Sequence, residues 1–262
     1  MSSHTSREET AAIVKLTDWF TTPAGQYVQA WEQARVDAAV EDAFGFHAVQ
    51  AGLPDFDTLR ANRMPFHAYV GPTQPREPFA AHWSGQALAT LEALPLETQS
   101  LDLLTLPHGL EYARNPHAVL REAERVLRPE GRLVITGFNP WSLWSLRHRL
   151  ASKDWLPECD RMLSIPRLKD WLKLLSFELD RGHFGCYVPP VASAKWLSRY
   201  AFMEKAGDRW WPVCGAVYVV SAVKRVQGMR FIGPSWKKRR RARATGAVAV
   251  NQRVRDTSAP HS

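Results

Sequence analysis

The stretch LEALPLETQSLDLLTLPHGLEYARNPHAVLREAERVLRPEGRLVITGFNPWS, residues 91–142, decides the fold class. Leu101–Leu106 is a nearly continuous apolar run, typical of a parallel strand that is covered on both faces. Asn115-Pro116 predicts the start of a helix, because asparagine caps helices and proline suits the first helical position. A turn at Pro129–Gly131 ends that helix, and residues 132–138 form the next predicted strand. Strand, helix and strand make a βαβ unit, so the stretch predicts an α/β sheet.

The sequence on both sides of this stretch predicts further elements. A helix begins at about Pro23, and Tyr27, Trp31, Ala34 and Ala38 form its apolar face at helical spacing. The other predicted strands are Phe46–Ala51, Pro65–Gly71, Pro78–Gln86, Ser176–Tyr187 and Ala216–Val226. The other predicted helices are Asp55–Arg60, Pro166–Leu175 and Ala194–Lys205.

Composition is typical of a globular protein. The 262 residues suffice for one large α/β domain with a buried core, or for two small domains. No apolar run approaches the roughly 20 residues that span a bilayer, and the polar N-terminus does not resemble a signal peptide. We therefore expect a cytoplasmic protein without membrane contact. The cysteines Cys159, Cys186 and Cys214 are far apart and odd in number, so neither a disulfide framework nor a metal site is expected.

The net charge of +8 is concentrated near the C-terminal end of the sequence. Residues 237–262 contain eight basic residues and one acid, Asp256, so the rest of the chain is nearly neutral. Small and polar residues without an apolar periodicity predict that this tail is disordered. Its cluster Lys237–Arg243 is expected either to contact nucleic acid without sequence preference or to be a solvated tail without a partner.

Within residues 91–142, many positions follow one family pattern at fixed spacing. The pattern is Leu-Pro, then Ser-φ-Asp-φ on a strand, Leu-Glu after the strand, and P-x-x-x-L-x-E-x-x-R-V-L-x-P-x-G across a helix and a turn. The matching residues are Leu94, Pro95, Ser100, Asp102, Leu110, Glu111, Pro116, Leu120, Glu122, Arg125, Val126, Leu127, Pro129 and Gly131. On these residues the stretch closely resembles the second half of the class I S-adenosylmethionine-dependent methyltransferase domain. The phrases LPHGLEY, GFNPWSLW and GDRWWP are similar to a bacterial subgroup of these enzymes, and the resemblance covers Ala30 to about Trp236.

The resemblance implies an α/β fold with a doubly wound, mostly parallel seven-stranded sheet whose last strand is antiparallel. It divides the chain into a polar N-terminal extension (1–22), a methyltransferase-like domain (23–236) and the basic tail (237–262). It also implies that the protein transfers a methyl group from S-adenosylmethionine to an acceptor that the sequence does not identify. In such a transfer the protein mainly orients the reactants in a dry site.

The segment that should hold the cofactor departs from the family pattern. The family has an acidic residue and Gly-x-Gly-x-Gly after the first strand, where glycines let the backbone approach the ligand. Here the equivalent is Gln50-Ala51-Gly52-Leu53-Pro54, in which one glycine remains and Pro54 lacks a backbone donor. The family's acid at the end of the second strand has no counterpart in Pro65–Gly71. A second hypothesis therefore stands beside the enzyme: a catalytically inactive binding module, associated with RNA through its tail.

The resemblance also implies which residues contact the cofactor. They are Gly52, Leu53, Thr90, Leu91, Thr105 and Leu106. Thr90 and Leu91 occupy the positions near adenine in the family, and Thr105 and Leu106 the positions near the methionine end.

His108 is the candidate catalytic residue. It follows the strand Leu101–Leu106 on the side where ligands bind in open α/β sheets. A neutral imidazole there would take a proton from an attacking hydroxyl or amine. The alternative is that His108 caps its loop through a hydrogen bond to Glu111. The basic segment Arg147–Arg149 would either meet an anionic substrate or form a solvated charged face.

Overall fold

The computed structural model describes residues 2–150, 156–157, 161–188 and 213–225. The helix predicted at Ala194–Lys205 and the basic tail 237–262 lie outside these described residues. The helices of the described part are α1 (Ser2–Phe20), α2 (Pro23–Val40), α3 (Gly109–Tyr112), α4 (Pro116–Val126), α5 (Leu143–Leu150) and α6 (Ile165–Leu174). Its strands are β1 (His47–Ala51), β2 (Phe66–Gly71), β3 (Gly85–Leu88), β4 (Leu101–Pro107), β5 (Leu127–Phe138), β6 (Phe177–Gly185) and β7 (Val217–Lys224).

The strands form one seven-stranded sheet in the order β3-β2-β1-β4-β5-β7-β6. Strands β1 to β5 pair in parallel, whereas β7 runs antiparallel to both of its neighbours, β5 and β6. Successive side chains of a strand point to opposite faces, so Leu103 and Leu104 of β4 enter different apolar clusters. Leu104 packs with α4 and α6, and Leu103 packs with α2. The predicted doubly wound α/β sheet with an antiparallel last strand is confirmed.

The helix predicted from Asn115-Pro116 begins and ends close to the expected residues. The Asn115 side-chain oxygen accepts a hydrogen bond from the backbone N–H of Ala118 at 3.2 Å, which is N-cap geometry. Val119, Leu120 and other apolar side chains of α4 are buried on one face. This unit between β4 and β5 is the part of the fold that sequence periodicity predicted best.

Two strands differ from their predicted limits. Strand β3 begins at Gly85 instead of Pro78, because a 3-10 turn occupies Phe79–His82. Strand β5 begins at Leu127 and contains the predicted turn as an irregularity. Five positions separate Leu127 from Arg132, whereas their partners on β4 are only two positions apart, so the extra residues of β5 bulge out of the ladder.

Helix α2 buries a different face from the one predicted. Ala34 and Ala38 are exposed, and the buried stripe is Ala24, Gly25, Val28, Glu32, Val36, Ala39 and Val40. The apolar members of this stripe recur mainly four residues apart, which is helical spacing. The charged Glu32 interrupts the stripe and concealed it from a reading based on apolar residues.

The extension 1–22 contains α1, for which the sequence predicted no element. Ile13, Leu16, Trp19 and Phe20 of this helix are at most 8% exposed. They recur at three- and four-residue spacing, so they form one apolar face that packs with Phe56 and Phe138. Within the described residues, the helices lack a stretch that is both long and apolar enough to cross a bilayer.

Candidate functional site

Segments that end or follow four parallel strands meet at one edge of the sheet and line a small cavity beneath α1. The lining residues are Gly52, Leu53, Pro72, Leu91, Pro107, His108, Gly109, Tyr112 and Ala113 from the sheet side, with Ile13 and Leu16 from α1. The cavity lies at the carboxyl ends of β1 and β4, where the strand order changes direction. In open α/β sheets, ligands bind at such a switch point. We therefore take this cavity as the candidate functional site.

Gln50, at the position of the family's acid, organises the loop that follows β1. Its amide nitrogen donates to the carbonyl oxygens of Leu53 (2.6 Å) and Phe56 (2.7 Å). Its amide oxygen accepts from the backbone N–H of Thr58 at 2.9 Å and from the Thr58 hydroxyl at 2.5 Å. The helix predicted at Asp55–Arg60 is therefore wrong, because the backbone groups of this loop bond to one buried amide instead of to each other.

Gly52 adopts a conformation that favours glycine, with φ at +119°. Its N–H donates to the carbonyl oxygen of Val70 at 3.1 Å, and its carbonyl oxygen accepts from the Tyr69 hydroxyl at 2.7 Å. Both backbone polar groups of Gly52 are therefore engaged within the protein. The glycine is held against β2 and forms part of the cavity lining.

The predicted cofactor contacts fall into two groups. Gly52, Leu53 and Leu91 line the cavity together with His108. The remaining three do not line it: Thr90 is partly exposed, Leu106 is buried in the main core, and Thr105 bonds to Thr58. The two threonine hydroxyls are 2.6 Å apart, so Thr105 supports the loop after β1 from below.

Helix α1 closes the cavity. With Ile13 and Leu16 in place, the remaining volume is about 10 Å³, which is about enough for one water molecule. Ligand pockets commonly measure roughly 300–1,000 Å³. The site with α1 in this position therefore does not fit S-adenosylmethionine, and it carries no carboxylate at the end of β2 for the ribose.

Three ionisable side chains form a buried charge cluster beside the cavity: Glu32, His108 and Glu111. All three are at most 1% exposed. The Nδ1 atom of His108 lies 2.8 Å from the Glu111 carboxylate, and its Nε2 atom lies 3.1 Å from the Glu32 carboxylate. Glu111 also accepts a hydrogen bond from the backbone N–H of Phe138. The contact between His108 and Glu111 that the sequence suggested is therefore present, with a second carboxylate on the opposite side of the ring.

The charge cluster keeps His108 protonated. Burial alone would lower the pKa of His108, but Glu32 and Glu111 outweigh burial and raise it from 6.5 to about 10. Burial raises the pKa of Glu111, and the neighbouring imidazolium offsets part of that effect. A general base must be unprotonated, so the raised pKa opposes a role of His108 as a base while α1 is closed. The catalytic role of His108 stays a prediction.

Glu32 is the member of the cluster that the sequence did not predict. It lies on α2, far from His108 in the chain, and both of its carboxylate oxygens lie 3.1 Å from the His108 Nε2 atom. The sequence feature that could have identified Glu32 is the series Val28, Glu32 and Val36, spaced four residues apart, in which a charged residue occupies an otherwise apolar stripe. Such a residue is either paired or functional, because an isolated buried charge is costly.

Comparison with known proteins gives a family match that overlaps the region with the sequence motifs. A family described as "Methyltransferase domain" matches residues 75–135. The chain is 44% identical over 87 residues to the uncharacterized protein YafS of Escherichia coli, which covers 33% of this chain and 36% of that protein. It is 34% identical over 89 residues to malonyl-[acyl-carrier protein] O-methyltransferase of Laribacter hongkongensis, which covers 34% of this chain and 30% of that enzyme. The matches thus span about a third of the length of these relatives.

The fold is similar to solved structures over most of the chain. A S-adenosylmethionine-dependent methyltransferase of Thermotoga maritima superposes with a TM-score of 0.56 at 17% identity. The superposition covers 80% of this chain and 94% of the other. At that identity the likeness concerns the fold, and the matched segment 75–135 supplies the relationship in sequence. Residues 75–135 are thus similar in sequence to the methyltransferase domain, and the seven-stranded fold is similar to that of S-adenosylmethionine-dependent methyltransferases.

Proposed function

We propose that the protein transfers a methyl group from S-adenosylmethionine to an acceptor at the cavity beneath α1. One observation carries the proposal: the segments after β1, β2, β3 and β4 converge on this cavity at the switch point of a sheet with methyltransferase topology. The cofactor, when bound, supplies an activated methyl group. Gly52, Leu53 and Leu91 are the chain's own residues that would contact it.

Cofactor entry requires α1 to move away from the cavity. The helix buries Ile13, Leu16, Trp19 and Phe20, and each such side chain stabilises the buried state by about 1.5–3 kcal/mol. Full detachment therefore costs at most about 6–12 kcal/mol before the helix regains conformational freedom. If the site is open in only a small fraction of the molecules, the apparent dissociation constant of the ligand is the intrinsic constant divided by that fraction.

The hydrogen bonds that hold the loop after β1 do not involve α1, although Phe56 of the loop stacks on Phe20 of that helix. Gln50 binds Leu53, Phe56 and Thr58, and Tyr69 binds Gly52. These hydrogen bonds order the sheet side of the site before a ligand binds. The main cost that weakens cofactor binding is therefore the displacement of α1.

The test is calorimetric titration of the full-length protein and of Leu16→Ala with S-adenosylmethionine. Leu16 is 1% exposed and lines the cavity, so its truncation weakens the docking of α1 by about 2–4 kcal/mol and enlarges the cavity. We expect the variant to bind at least about tenfold more tightly, since 1.4 kcal/mol corresponds to a factor of ten. Val14→Ala is the matched control, because Val14 lies on the same helix but is 36% exposed.

Absence of heat and of a thermal shift for both the native protein and Leu16→Ala at millimolar S-adenosylmethionine would sink the proposal. That result would favour the second function, a methyltransferase fold that serves as a binding module. The observations that favour it are the closed cavity and the use of Gln50 in place of an acid. If the module binds RNA through Lys237–Arg243, removal of residues 237–262 should abolish salt-sensitive RNA binding.

A further inference from the structure

A second opening at the same edge of the sheet is lined by basic side chains. We call it the basic groove; it has a volume of about 970 Å³ and lies between the start of α4, the segment after β5 and helix α6. The residues on which the argument depends are Arg114, His117, His148, Arg161, Arg167 and Trp171. Arg114 directly follows Ala113, which lines the cavity beneath α1. The two openings are therefore neighbours on one surface.

The arginines of the basic groove have no acidic partners in the described part of the chain. The described residues that line the groove include no carboxylate, and Arg114, Arg161 and Arg167 form no ion pair with any described residue. Seven arginines outside the groove form ion pairs with carboxylates: Arg60, Arg63, Arg125, Arg128, Arg132, Arg181 and Arg225. Three like charges that share a concave surface create a positive potential, which an anion would neutralise.

Contacts within the protein hold parts of the groove in position. The Arg161 guanidinium donates a hydrogen bond to the backbone carbonyl oxygen of Arg114. The Arg167 guanidinium lies over the Trp171 ring, 4.9 Å from its centroid, and the His117 ring lies against the same tryptophan with centroids 3.5 Å apart. Side chains that are already ordered lose less entropy when a ligand binds.

A buried polar atom in the same groove also lacks a partner. The Nδ1 atom of His148 is inaccessible to water and has no hydrogen-bond partner among the described residues. Buried polar groups are nearly always satisfied, so this unpartnered ring nitrogen is an unusual feature of a side chain that lines the groove. The atom lies on α5, the helix after β5, whose basic residues the sequence associated with an anionic substrate.

We propose that the basic groove binds the phosphate or diphosphate group of an organic ligand. A guanidinium group can donate two parallel hydrogen bonds to the oxygens of one phosphate group. A ligand group with more than one negative charge is neutralised by several guanidinium groups. The position of the groove beside the cavity makes this ligand the methyl acceptor, a role that rests on the proposed function. The binding site itself does not depend on that function.

The test uses inorganic pyrophosphate as the probe and the full-length protein. We expect calorimetry at low salt to detect binding, and Arg114→Gln, Arg161→Gln and Arg167→Gln each to weaken it about tenfold or more, since a hydrogen bond to a charged group contributes about 1.5–3 kcal/mol. Arg63→Gln is the matched control: it removes the same charge from a surface outside the groove, where Arg63 is 78% exposed. The side chains in all four substitutions are exposed, so thermal melting should confirm that the variants remain folded.

Three outcomes would overturn the assignment. One is the absence of heat with millimolar pyrophosphate. Another is binding that the groove substitutions leave unchanged, which would assign the heat to other basic residues such as Lys237–Arg243. The third is equally tight binding of citrate, which would replace phosphate by carboxylate as the recognised group. A separate S-adenosylmethionine titration shows which of the two proposals fails. If pyrophosphate binds but S-adenosylmethionine does not, only the proposed function is refuted. If S-adenosylmethionine binds but pyrophosphate does not, only this inference is refuted.

Discussion

Replacement of His108 by asparagine should lower the free energy of unfolding by about 3–5 kcal/mol at neutral pH. The imidazolium lies between Glu32 and Glu111, which are 0% and 1% exposed. Its removal leaves two carboxylates buried together without a cation, and loss of one partner from a buried ion pair typically has this cost. Asparagine suits the backbone of this position, where φ is +51°, so the loss arises from the side chain.

Urea unfolding followed by circular dichroism measures the effect. With a denaturant dependence of about 3 kcal/mol per molar urea, the midpoint should fall by about 1–1.7 M. In the His108→Asn background, a second substitution, Glu32→Gln, should restore stability because it removes one of the two unpaired charges. The reasoning is refuted if His108→Asn loses less than about 1 kcal/mol, or if Glu32→Gln lowers the stability of that variant further.

Three further measurements test particular contacts. The folded-state pKa of His108, about 10, lies above its ordinary 6.5, so its stabilisation is complete below pH 6.5 and is lost as pH rises to about 10. The stability difference between the native protein and His108→Asn should therefore shrink from pH 7 to pH 10 in urea titrations; a constant difference would contradict the raised pKa. Gln50→Leu should cost about 3 kcal/mol, because three buried backbone groups lose their partner, and a melting temperature equal to that of the native protein would exclude this role. Asn115→Ala should cost about 1 kcal/mol and Asn115→Asp only a few tenths, as measured by thermal melting, since aspartate also caps a helix; equal losses would argue against capping.

Local sequence signals correctly predicted the part of the fold in which the residues adopt the secondary structure that their periodicity and capping residues favour. Strand β4, the capped helix α4 and strand β5 have apolar periods and end signals that agree with their tertiary environment. The seven strands and the antiparallel last strand came from the family resemblance, because periodicity does not determine how strands pair. Helix α1 was missed because its first residues are polar, and its apolar face becomes evident only when the surface that receives it is known.

The candidate site could be predicted only in part. The loop after β1 was located through Gly52, but the role of Gln50 depends on four contacts with residues three to eight positions away. The partnership of His108 with Glu111 is local and was foreseen, whereas that with Glu32 joins two elements that are distant in the chain. Contacts of that kind follow from the packing of helices on a sheet, and a single sequence does not specify them.

The position of α1 in the chain has a consequence for biosynthesis. The helix leaves the ribosome before every strand, yet its apolar face belongs to a cluster that includes Phe138 and Val217, the latter in the last strand. Docking of α1 must therefore await almost the whole sheet, and the closure of so long a loop is entropically slow. Until then Trp19 and its neighbours stay exposed on the nascent chain, where they are a hazard for aggregation and a natural binding segment for chaperones.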